Sequence, residues 1–294
     1  MHTPSRYSFE AIGTQWEIDT EVPLSAAVRQ RIAARIETFN HVYSRFRSDS
    51  LVSRIATALA GGSFTFPADS PPLFDLYDRL HVLTGGAVDP LVGRRLEQLG
   101  YDLRYSLRPV NGWQSAEPDD VCWPRDVVRQ GSVIRTQRPL LVDVGAAGKG
   151  YLVDTIASLV RAADVRAATV DAGGDMRRFG PEPVRVGLEH PLDPNRVIGV
   201  VELRNAAICA SATTRRAWGP GLHHVLDARR GQPTMDVLAT WVLAPDALTA
   251  DGLATALFFV PAKVLQVHFS FAAVRMLANQ TVEVTDGFPG EIFS

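Results

Sequence analysis

Apolar and polar positions alternate along residues 7–20, and this alternation predicts a β-strand because successive side chains of a strand point to opposite faces. The spacing then becomes helical: apolar residues recur every three or four positions in a helix that follows Ser25, its predicted N-cap, and runs to about Phe46. A second helix is predicted between a proline pair at 71–72 and a glycine pair at 85–86. The first third of the chain is therefore expected to combine a strand with two helices.

Residues 104–125 follow no period and contain several prolines and an Asn-Gly pair, which predicts a loop. Further along, strands are grouped with a few helices and do not alternate strictly with them, so the expected fold class is α+β. The remaining predicted elements are, in chain order, a hairpin of DVVRQ and SVIRT, a strand LLVDV, a helix from Tyr151 to about Ala163, strands at 167–172, 184–188, 197–203, 222–226 and 238–244, helices at 246–259 and 262–278, and a last strand TVEVT.

The chain has 294 residues, of which 46% are hydrophobic and 21% charged, as in globular proteins that form one large domain or two small ones. The net charge of −2 argues against a binder of nucleic acid or of anionic membranes, since both need a basic excess. No apolar run approaches the ~20 residues of a membrane span, and the N-terminal residues lack the apolar stretch of a signal peptide. We therefore expect a cytoplasmic protein without a membrane span or a lipoprotein cysteine.

Cysteine and lysine are both rare in this chain. The two cysteines, Cys122 and Cys209, are too few for a disulfide framework, and neither belongs to a C-x-x-C motif, so buried or inert thiols are expected. Lys149 and Lys263 are the only lysines among 30 basic residues. A lysine inside a glycine-rich loop, as Lys149 is, therefore becomes a candidate for a specific role.

That loop is the segment 143–150, DVGAAGKG, which is predicted to lead from a strand into a helix. Glycines let backbone amides approach an anion, and a helix N-terminus favours negative charge. The spacing is not that of a Walker A loop, since only two residues separate Gly145 from Gly148, nor that of a dinucleotide-binding G-x-G-x-x-G motif. The segment predicts either a phosphate-binding loop or a tight strand-to-helix turn.

Asp251 and Thr255 are four residues apart at the start of a predicted helix, so their side chains share one face. A carboxylate and a hydroxyl oxygen suit a hard cation such as Mg²⁺, which takes few protein ligands and completes its shell with water or substrate phosphates. The alternative is an ordinary first-turn aspartate followed by a threonine bonded back to the helix. Taken alone, the pair favours that structural alternative.

Histidine and aspartate occur at three further positions of interest. Alternation places His224 and Leu226 on one face of the predicted strand 222–226, where a histidine can act as an acid or a base near neutral pH or simply be hydrogen-bonded. Asp89 precedes a proline in a rigid turn that either holds the edge of a ligand or connects two elements. The segment 171–175, DAGGD, predicts a turn with unrestricted backbone.

In their order along the chain, these segments resemble the ApbE family, the FAD:protein FMN transferases. The resemblance runs from about Ile12 to Val260, its core is placed at 7–260, and it implies a single domain over 1–294. It also implies an α+β fold with mixed or antiparallel sheets, packed helices and two similar halves in one compact unit. The matching segments are IGTQW, YSRFRSDSLVSRI, AVDPLVGRRLEQLGYD, LVDVGAAGKGYLVD, TVDAGGDM, VRVGLEHP, ICASATTRRAW, HHVLDARRGQP and ADGLATALFFV.

The resemblance implies a Mg²⁺-dependent reaction in which FAD is cleaved and FMN is attached by a phosphoester bond to a threonine or serine of a target flavoprotein, with release of AMP. Asp251 or His224 would accept the hydroxyl proton, and His224 falls on the histidine of the family's H-x-x-D-P segment. The metal ligands would be Asp251, Thr255 and the backbone carbonyl of Ala146. The FAD contacts would be Ile12, Phe46, Ala87, Val88, Asp89, Asp143, Lys149 and Leu226.

The sequence departs from the family pattern at several places. Phe46 stands where an aromatic hydroxyl is common, Ala228 replaces a proline, and Ala254 stands where some members have a second carboxylate. The family's Thr-Ser-Gly stretch is 210–212, ASA, and the pair that follows it is Thr-Thr. Because the implied metal ligands are retained, two alternatives use the same site: an FAD pyrophosphatase that releases FMN and AMP, and a non-catalytic FAD-binding protein.

Overall fold

The computed structural model describes residues 5–114 and 120–293. Eight α-helices lie in these two ranges, together with 3₁₀ turns at Pro90–Val92 and Thr213–Arg216. The helices are α1 (Ala26–Tyr43), α2 (Leu51–Thr57), α3 (Pro71–Leu83), α4 (Gly93–Gln98), α5 (Trp123–Asp126), α6 (Gly148–Arg161), α7 (Ala247–Ala256) and α8 (Ala262–Gln266).

The same ranges contain eighteen strands. They are β1 (Ser5–Ala11), β2 (Thr14–Thr20), β3 (Gly62–Thr65), β4 (Val127–Gln130), β5 (Val133–Thr136), β6 (Ala168–Asp171), β7 (Met176–Phe179), β8 (Val184–His190), β9 (Asp193–Leu203), β10 (Ala207–Ala212), β11 (Ala217–Trp218), β12 (Leu222–His223), β13 (Leu226–Asp227), β14 (Gln232–Pro233), β15 (Val237–Ala244), β16 (Ala272–Leu277), β17 (Val282–Val284) and β18 (Gly290–Ile292).

One eight-stranded sheet organises the molecule, in the order β1-β2-β6-β7-β10-β15-β16-β17 with every neighbouring pair antiparallel. Two three-stranded sheets, β18-β9-β8 and β3-β5-β4, and two short ribbons, β11-β12 and β13-β14, complete the strand pairing of the described residues. Helices and antiparallel sheets in this arrangement confirm the expected α+β class.

The middle of the large sheet is buried on both faces. Val242 of β15 points into the main core, which helices α1, α3, α6 and α7 share, whereas its neighbours Trp241 and Leu243 pack against the β8–β9 strands. Because successive side chains of a strand alternate between faces, a strand covered on both sides needs an unbroken apolar sequence. This explains the hydrophobic run of β15, which only Thr240 interrupts, and the Thr240 hydroxyl is satisfied by donating to the carbonyl oxygen of Ala254 at 2.7 Å.

The strand predicted over 7–20 is wrong as a single element, because the chain reverses in its middle. Ile12 and Gly13, both with positive φ (46° and 77°), form the two-residue turn that joins β1 to β2. Such turns require left-handed backbone at both positions and normally use Asn or Gly at the first. An isoleucine there gives no turn signal in the sequence, although β-branched residues rarely adopt this conformation.

Four other predicted elements differ from the structure. The helix expected over 262–278 ends at Gln266 and is followed by strand β16, because a short apolar run fits either period and pairing with β15 and β17 decides it. The segment LLVDV belongs to no strand, although its residues 140–142 are buried. The predicted strand 222–226 is broken at His224, and TVEVT is followed by a further strand, β18.

Most remaining elements are confirmed with small shifts of their ends. The Ser25 side chain caps α1 by accepting from the backbone N–H of Val28 at 3.3 Å, and α3 begins at Pro71. Within 104–125, the described residues outside α5 form no helix or strand, and Pro118 lies outside the described residues. Among the described helices, none has the length and apolar character that crossing a bilayer requires.

Candidate functional site

One cavity of about 1250 Å³ opens between the large sheet, the glycine loop 143–150 and helix α7. All the site positions named from the sequence line its wall, although they come from six separate stretches of chain. They are Ile12, Phe46, Ala87, Val88, Asp89, Asp143, Ala146, Lys149, His224, Leu226, Asp251 and Thr255. Their convergence places them together; the role of each one stays a prediction.

The glycine loop turns sharply into helix α6. The Asp143 carboxylate accepts the backbone N–H of Gly145 at 2.6 Å, which fixes the turn, and it also pairs with Arg45 at 2.5 Å. Since the Arg45 side chain is almost fully buried, this aspartate supplies the counter-charge that lets a cation lie beneath the loop. The Asp143 carboxylate is therefore engaged by two groups of the cavity wall, so this residue has a structural role whether or not it also contacts a ligand.

Three oxygen atoms that could bind a metal line the cavity near this loop: those of the Ala146 carbonyl, the Thr255 hydroxyl and the Asp251 carboxylate. The Thr255 hydroxyl donates to the carbonyl oxygen of Ala146 at 3.3 Å, and Asp251 lies one turn earlier on the same face of α7. The phenol of Tyr77 accepts the N–H of Ala146 at 3.2 Å, so the loop is held in place from its other side. A carboxylate, a hydroxyl and a backbone carbonyl are the donor types that Mg²⁺ takes. The residues present therefore fit that ion.

Asp251 belongs to a buried charge cluster with Lys149 and Asp175. The ammonium of Lys149 lies 3.0 Å from Oδ2 of Asp175, whose side chain is 1% exposed. Burial, followed by the negative charge of Asp175, raises the pKa of Asp251 well above its usual range. Burial alone would lower the pKa of Lys149, but Asp175 and Asp251 outweigh it and raise that pKa. Two carboxylates and one ammonium leave an excess negative charge, which a bound cation would neutralise.

Helices α6 and α7 touch at Gly150. Its backbone N–H donates to Oδ2 of Asp251 at 2.8 Å. A Cβ atom at this position would lie 2.1 Å from the carbonyl oxygen of Ala247 and 2.7 Å from Cβ of Asp251, distances at which the backbone has to move. Glycine is therefore required for the loop and the helix to approach this closely.

His224 faces the cavity, while the neighbouring His223 turns away and lies 2.8 Å from the carbonyl oxygen of Thr234. Enclosure in the protein lowers the pKa of His224 to about 3, and the positive charge of Arg216 and the nearby His223 contribute to the lowering. His224 is accordingly a neutral imidazole at neutral pH. It can accept a hydrogen bond or a proton, but it does not carry a positive charge.

The outer part of the cavity is an aromatic rim formed by Phe46, Tyr101, Tyr105 and Arg216. Phe46 stacks on Tyr105 with ring centroids 4.6 Å apart, and Arg216 donates to the Tyr101 hydroxyl at 2.7 Å. Half of the Tyr105 surface is exposed, and Arg216 is exposed as well. Flat rings beside cations suit the aromatic and phosphate parts of a nucleotide.

Asp89 lines the cavity, but its carboxylate is occupied by the protein. It accepts the backbone N–H of Leu91 at 2.7 Å and of Trp123 at 2.9 Å, capping the 3₁₀ turn that follows. The neighbouring residues Ala87 and Val88 are buried in the same wall. A ligand at this wall would therefore meet mainly backbone and apolar surface.

Asp175, Arg45 and Tyr77 contribute to the site without having been predicted from the sequence, whereas Arg216 belongs to the polar run 211–216, for which anion binding is a non-specific prediction. Asp175 had one available signal, since its segment DAGGD repeats the aspartate–glycine character of the loop at 143–150. Arg45 and Tyr77 had none, because their positions fit the apolar and charged faces of ordinary helices. Only the folded chain brings them beneath the glycine loop.

Comparisons with known proteins agree with this arrangement. The sequence model described as the ApbE family matches residues 12–272. The FAD:protein FMN transferase of Klebsiella pneumoniae is 26% identical over 277 residues, which is 88% of this chain and 79% of that protein. The protein of the same name from Vibrio cholerae is 27% identical over 245 residues, 79% of this chain and 73% of that protein.

Solved structures show the same fold. The ApbE protein of Thermotoga maritima superposes with a TM-score of 0.85 at 24% identity, covering 98% of this chain and 100% of that one. The flavin transferase ApbE from Vibrio cholerae gives a TM-score of 0.80 at 21% identity, covering 97% and 98%. With a family match over most of its length and this shared fold, the chain belongs to the ApbE family.

Proposed function

We propose that this protein is an enzyme that cleaves FAD and transfers FMN to a threonine or serine hydroxyl of an acceptor flavoprotein, releasing AMP. One observation carries the proposal: an oxygen donor set for Mg²⁺ and a lysine paired with a buried carboxylate lie together in a cavity of about 1250 Å³. A cavity of this size accommodates a ligand larger than most small molecules, such as a dinucleotide. The names of the relatives support the same activity.

The Ala146 carbonyl, the Asp251 carboxylate and the Thr255 hydroxyl would hold the metal ion. When bound, Mg²⁺ would supply charge neutralisation at the pyrophosphate oxygens. Phosphoryl transfer depends mainly on positioning and on neutralising charge, so a site with little nucleophilic chemistry of its own is sufficient. Lys149, which belongs to the charge cluster with Asp175 and Asp251, provides a positive charge at the same place.

In the reaction, the acceptor hydroxyl oxygen bonds to the phosphorus of the FMN half, and the bond from that phosphorus to the AMP oxygen breaks. The hydroxyl proton passes to a base in the cavity. His224, with a pKa of about 3, is a weak proton acceptor, which favours Asp251 in this role. His224 then contributes as a neutral hydrogen-bonding group near the reacting oxygens.

The rim would hold the rings of FAD. Phe46 and Tyr105 present a stacked pair of aromatic side chains, and Arg216 adds a cation at the same side. These contacts bind substrate and transition state alike, since no charge changes on the rings during phosphoryl transfer.

The test is incubation of the protein with FAD, Mg²⁺ and a flavoprotein that carries a candidate threonine, followed by the intact mass of both proteins. A gain of one FMN on the acceptor, with one AMP released, is the expected result. Free FMN and AMP without an adduct would indicate the pyrophosphatase, and unchanged FAD would indicate a binding protein. Omitting Mg²⁺ from a parallel reaction tests the metal requirement.

A further inference from the structure

A second cluster of reactive side chains lies behind the cavity wall, outside the charge cluster and the rim. It consists of His81 near the end of α3, Asp89 in the wall and Cys122 just before α5. One donor atom from each residue lies within 4.8 Å of the other two. The proposed phosphoryl transfer uses none of the three side-chain donor atoms.

The imidazole of His81 lies between the other two side chains. Its Nε2 is 3.9 Å from Sγ of Cys122, and its Nδ1 is 3.1 Å from Oδ2 of Asp89. The two ring nitrogens thus face different partners. A single metal ion would need one ring nitrogen to serve both, whereas a thiol–imidazole–carboxylate relay uses both nitrogens in this way.

A buried nitrogen of this ring has a carboxylate as its neighbour. Nδ1 of His81 is buried and, among the described residues, forms no hydrogen bond of good geometry, although the Asp89 carboxylate is beside it. Burial raises the pKa of Asp89, and the amides of Trp123 and Leu91 only partly oppose this. A carboxylate 3.1 Å from Nδ1 can orient the imidazole and stabilise the ion that forms when Nε2 accepts a proton.

We propose that Cys122 is an activated thiol, with His81 as its proton acceptor and Asp89 as the group that positions His81, and that it undergoes exchange with low-molecular-weight disulfides. The proton moves from Sγ to Nε2, and the thiolate attacks one sulfur of the disulfide. The disulfide S–S bond breaks, a bond from Sγ to the attacked sulfur forms, and the other half leaves as a thiolate. Cys122 is half-buried, so a small reagent is the suitable partner.

The chain supplies its own negative control. Cys209 is fully buried, its Sγ donates to the carbonyl oxygen of Ala247 at 3.5 Å, and burial raises its pKa well above the usual value. Both cysteines are free thiols. Cys209 should therefore stay unmodified while Cys122 reacts, and the expectation of two inert thiols would then be wrong for one of them.

The experiment treats the folded full-length protein with oxidised glutathione at about neutral pH and follows adduct formation by intact mass and peptide mapping. A synthetic peptide of residues 120–126 serves as the reference, because it contains Cys122 without His81. We expect a single adduct, at Cys122, formed about tenfold faster than on the peptide. The variant His81→Gln should lower the rate to about that of the peptide, and Cys209→Ser should leave it unchanged.

Unfolding cannot imitate this result, since an unfolded variant would expose both thiols and gain a second adduct. A rate for His81→Gln equal to that of the unsubstituted protein would overturn the proposal. So would modification of neither cysteine. A tightly bound zinc ion that is lost in Cys122→Ser would also overturn it, because the thiol would then be a metal ligand.

Discussion

The charge cluster and the aromatic rim lie in one cavity but are built on opposite principles. Lys149, Asp175 and Asp251 form a largely buried network, in which burial and the charge of Asp175 raise the pKa of Asp251 and the charge of Lys149 opposes that rise. The rim residues Phe46 and Arg216 are stabilised by stacking and by one hydrogen bond near solvent. Because charge interactions weaken in water, the same loss of a charge should cost far more in the cluster than at the rim.

The difference suggests that the charge cluster carries the chemistry and the aromatic rim the recognition of FAD. A buried cation or carboxylate changes the energy of developing charge, so its loss should lower kcat. A half-exposed aromatic ring contributes contact area, so its loss should raise KM for FAD. Substitutions in the charge cluster should therefore have larger effects than substitutions at the rim.

The substitution Asp251→Ala removes the only charged group of the proposed metal donor set. We expect Mg²⁺-dependent turnover to fall by about a hundredfold or more, since loss of even outer metal contacts costs 10–100-fold. Release of AMP from FAD at several Mg²⁺ concentrations measures this. The exposed Asp286→Ala serves as a control and should retain the full rate. A full rate for Asp251→Ala at saturating Mg²⁺ would place the metal elsewhere.

Replacing Lys149 with methionine removes the cation but keeps much of the side-chain length. FAD binding or pyrophosphate cleavage should weaken by about tenfold or more, corresponding to a charge-assisted hydrogen bond of ~1.5–3 kcal/mol. Lys149→Arg should recover only part of the loss, because a planar guanidinium does not replace a compact ammonium. Affinity for FAD and the rate of AMP release are the measurements. Near-normal values for both variants would leave the glycine loop as a structural turn.

Asp175→Asn tests whether the cluster acts as one unit. The variant leaves Lys149 without the carboxylate at 3.0 Å, and we expect kcat to fall by roughly tenfold or less. In the double variant, kcat should be little lower than in Lys149→Met alone, because either substitution breaks the Lys149–Asp175 pair. Strictly additive effects in this double-mutant cycle would show that the two residues act separately.

At the rim, Phe46→Ala should raise KM for FAD by about threefold to tenfold with little change in kcat, as expected for loss of one aromatic contact of ~0.5–1.5 kcal/mol. Steady-state kinetics with FAD as the varied substrate separate the two constants. The alternative Phe46→Tyr adds the hydroxyl that the family resemblance leads us to expect at this position and should lower KM. A fall in kcat alone would contradict the assignment of the rim to recognition.

The smallest effect concerns His224, which lies close enough to Arg216 to be influenced by its charge. Its pKa is lowered in the folded protein, so its contribution to stability is present above about pH 6.5 and is lost as the pH falls toward 3. At one pH unit below 6.5, protonation of His224 on unfolding should lower the free energy of unfolding by at most about 1.4 kcal/mol. The variant His224→Gln should not show this loss. Urea unfolding of both proteins at several pH values measures it, and identical pH slopes would contradict the lowered pKa.

The residues that the sequence named for the site line one cavity, whereas several of the predicted elements around it differ from the structure. The order of the short motifs carried the resemblance to the family, and that resemblance joined Asp251, Thr255 and Ala146 in one proposed donor set. Local pattern could not reveal the turn at Ile12, whose left-handed backbone is imposed by the pairing of β1 with β2. Nor could it distinguish β16 from a helix, since strand pairing decided between two compatible periods.

Charge partners were missed for a related reason. Asp175 and Lys149 are 26 positions apart, and Arg45 and Asp143 are 98 positions apart, so no local period connects them. A charged side chain is buried only where the fold supplies a partner of opposite charge. A single sequence shows which residues are charged but not which of them pair. The core of helices α1 and α3 was predictable because its apolar spacing is local.

The contact at Gly150 has a consequence for how this protein can vary. The backbone of Gly150 lies directly against the carbonyl of Ala247 and the Asp251 side chain, so the closest approach of the loop to α7 depends on position 150 having no side chain. Repacking of the surrounding apolar residues can change stability without changing that spacing. One added methyl group would act as a wedge, and a displacement of about 1 Å at reacting groups can cost a hundredfold in rate. A side chain at position 150 would therefore separate the loop from the helix that carries Asp251 and Thr255.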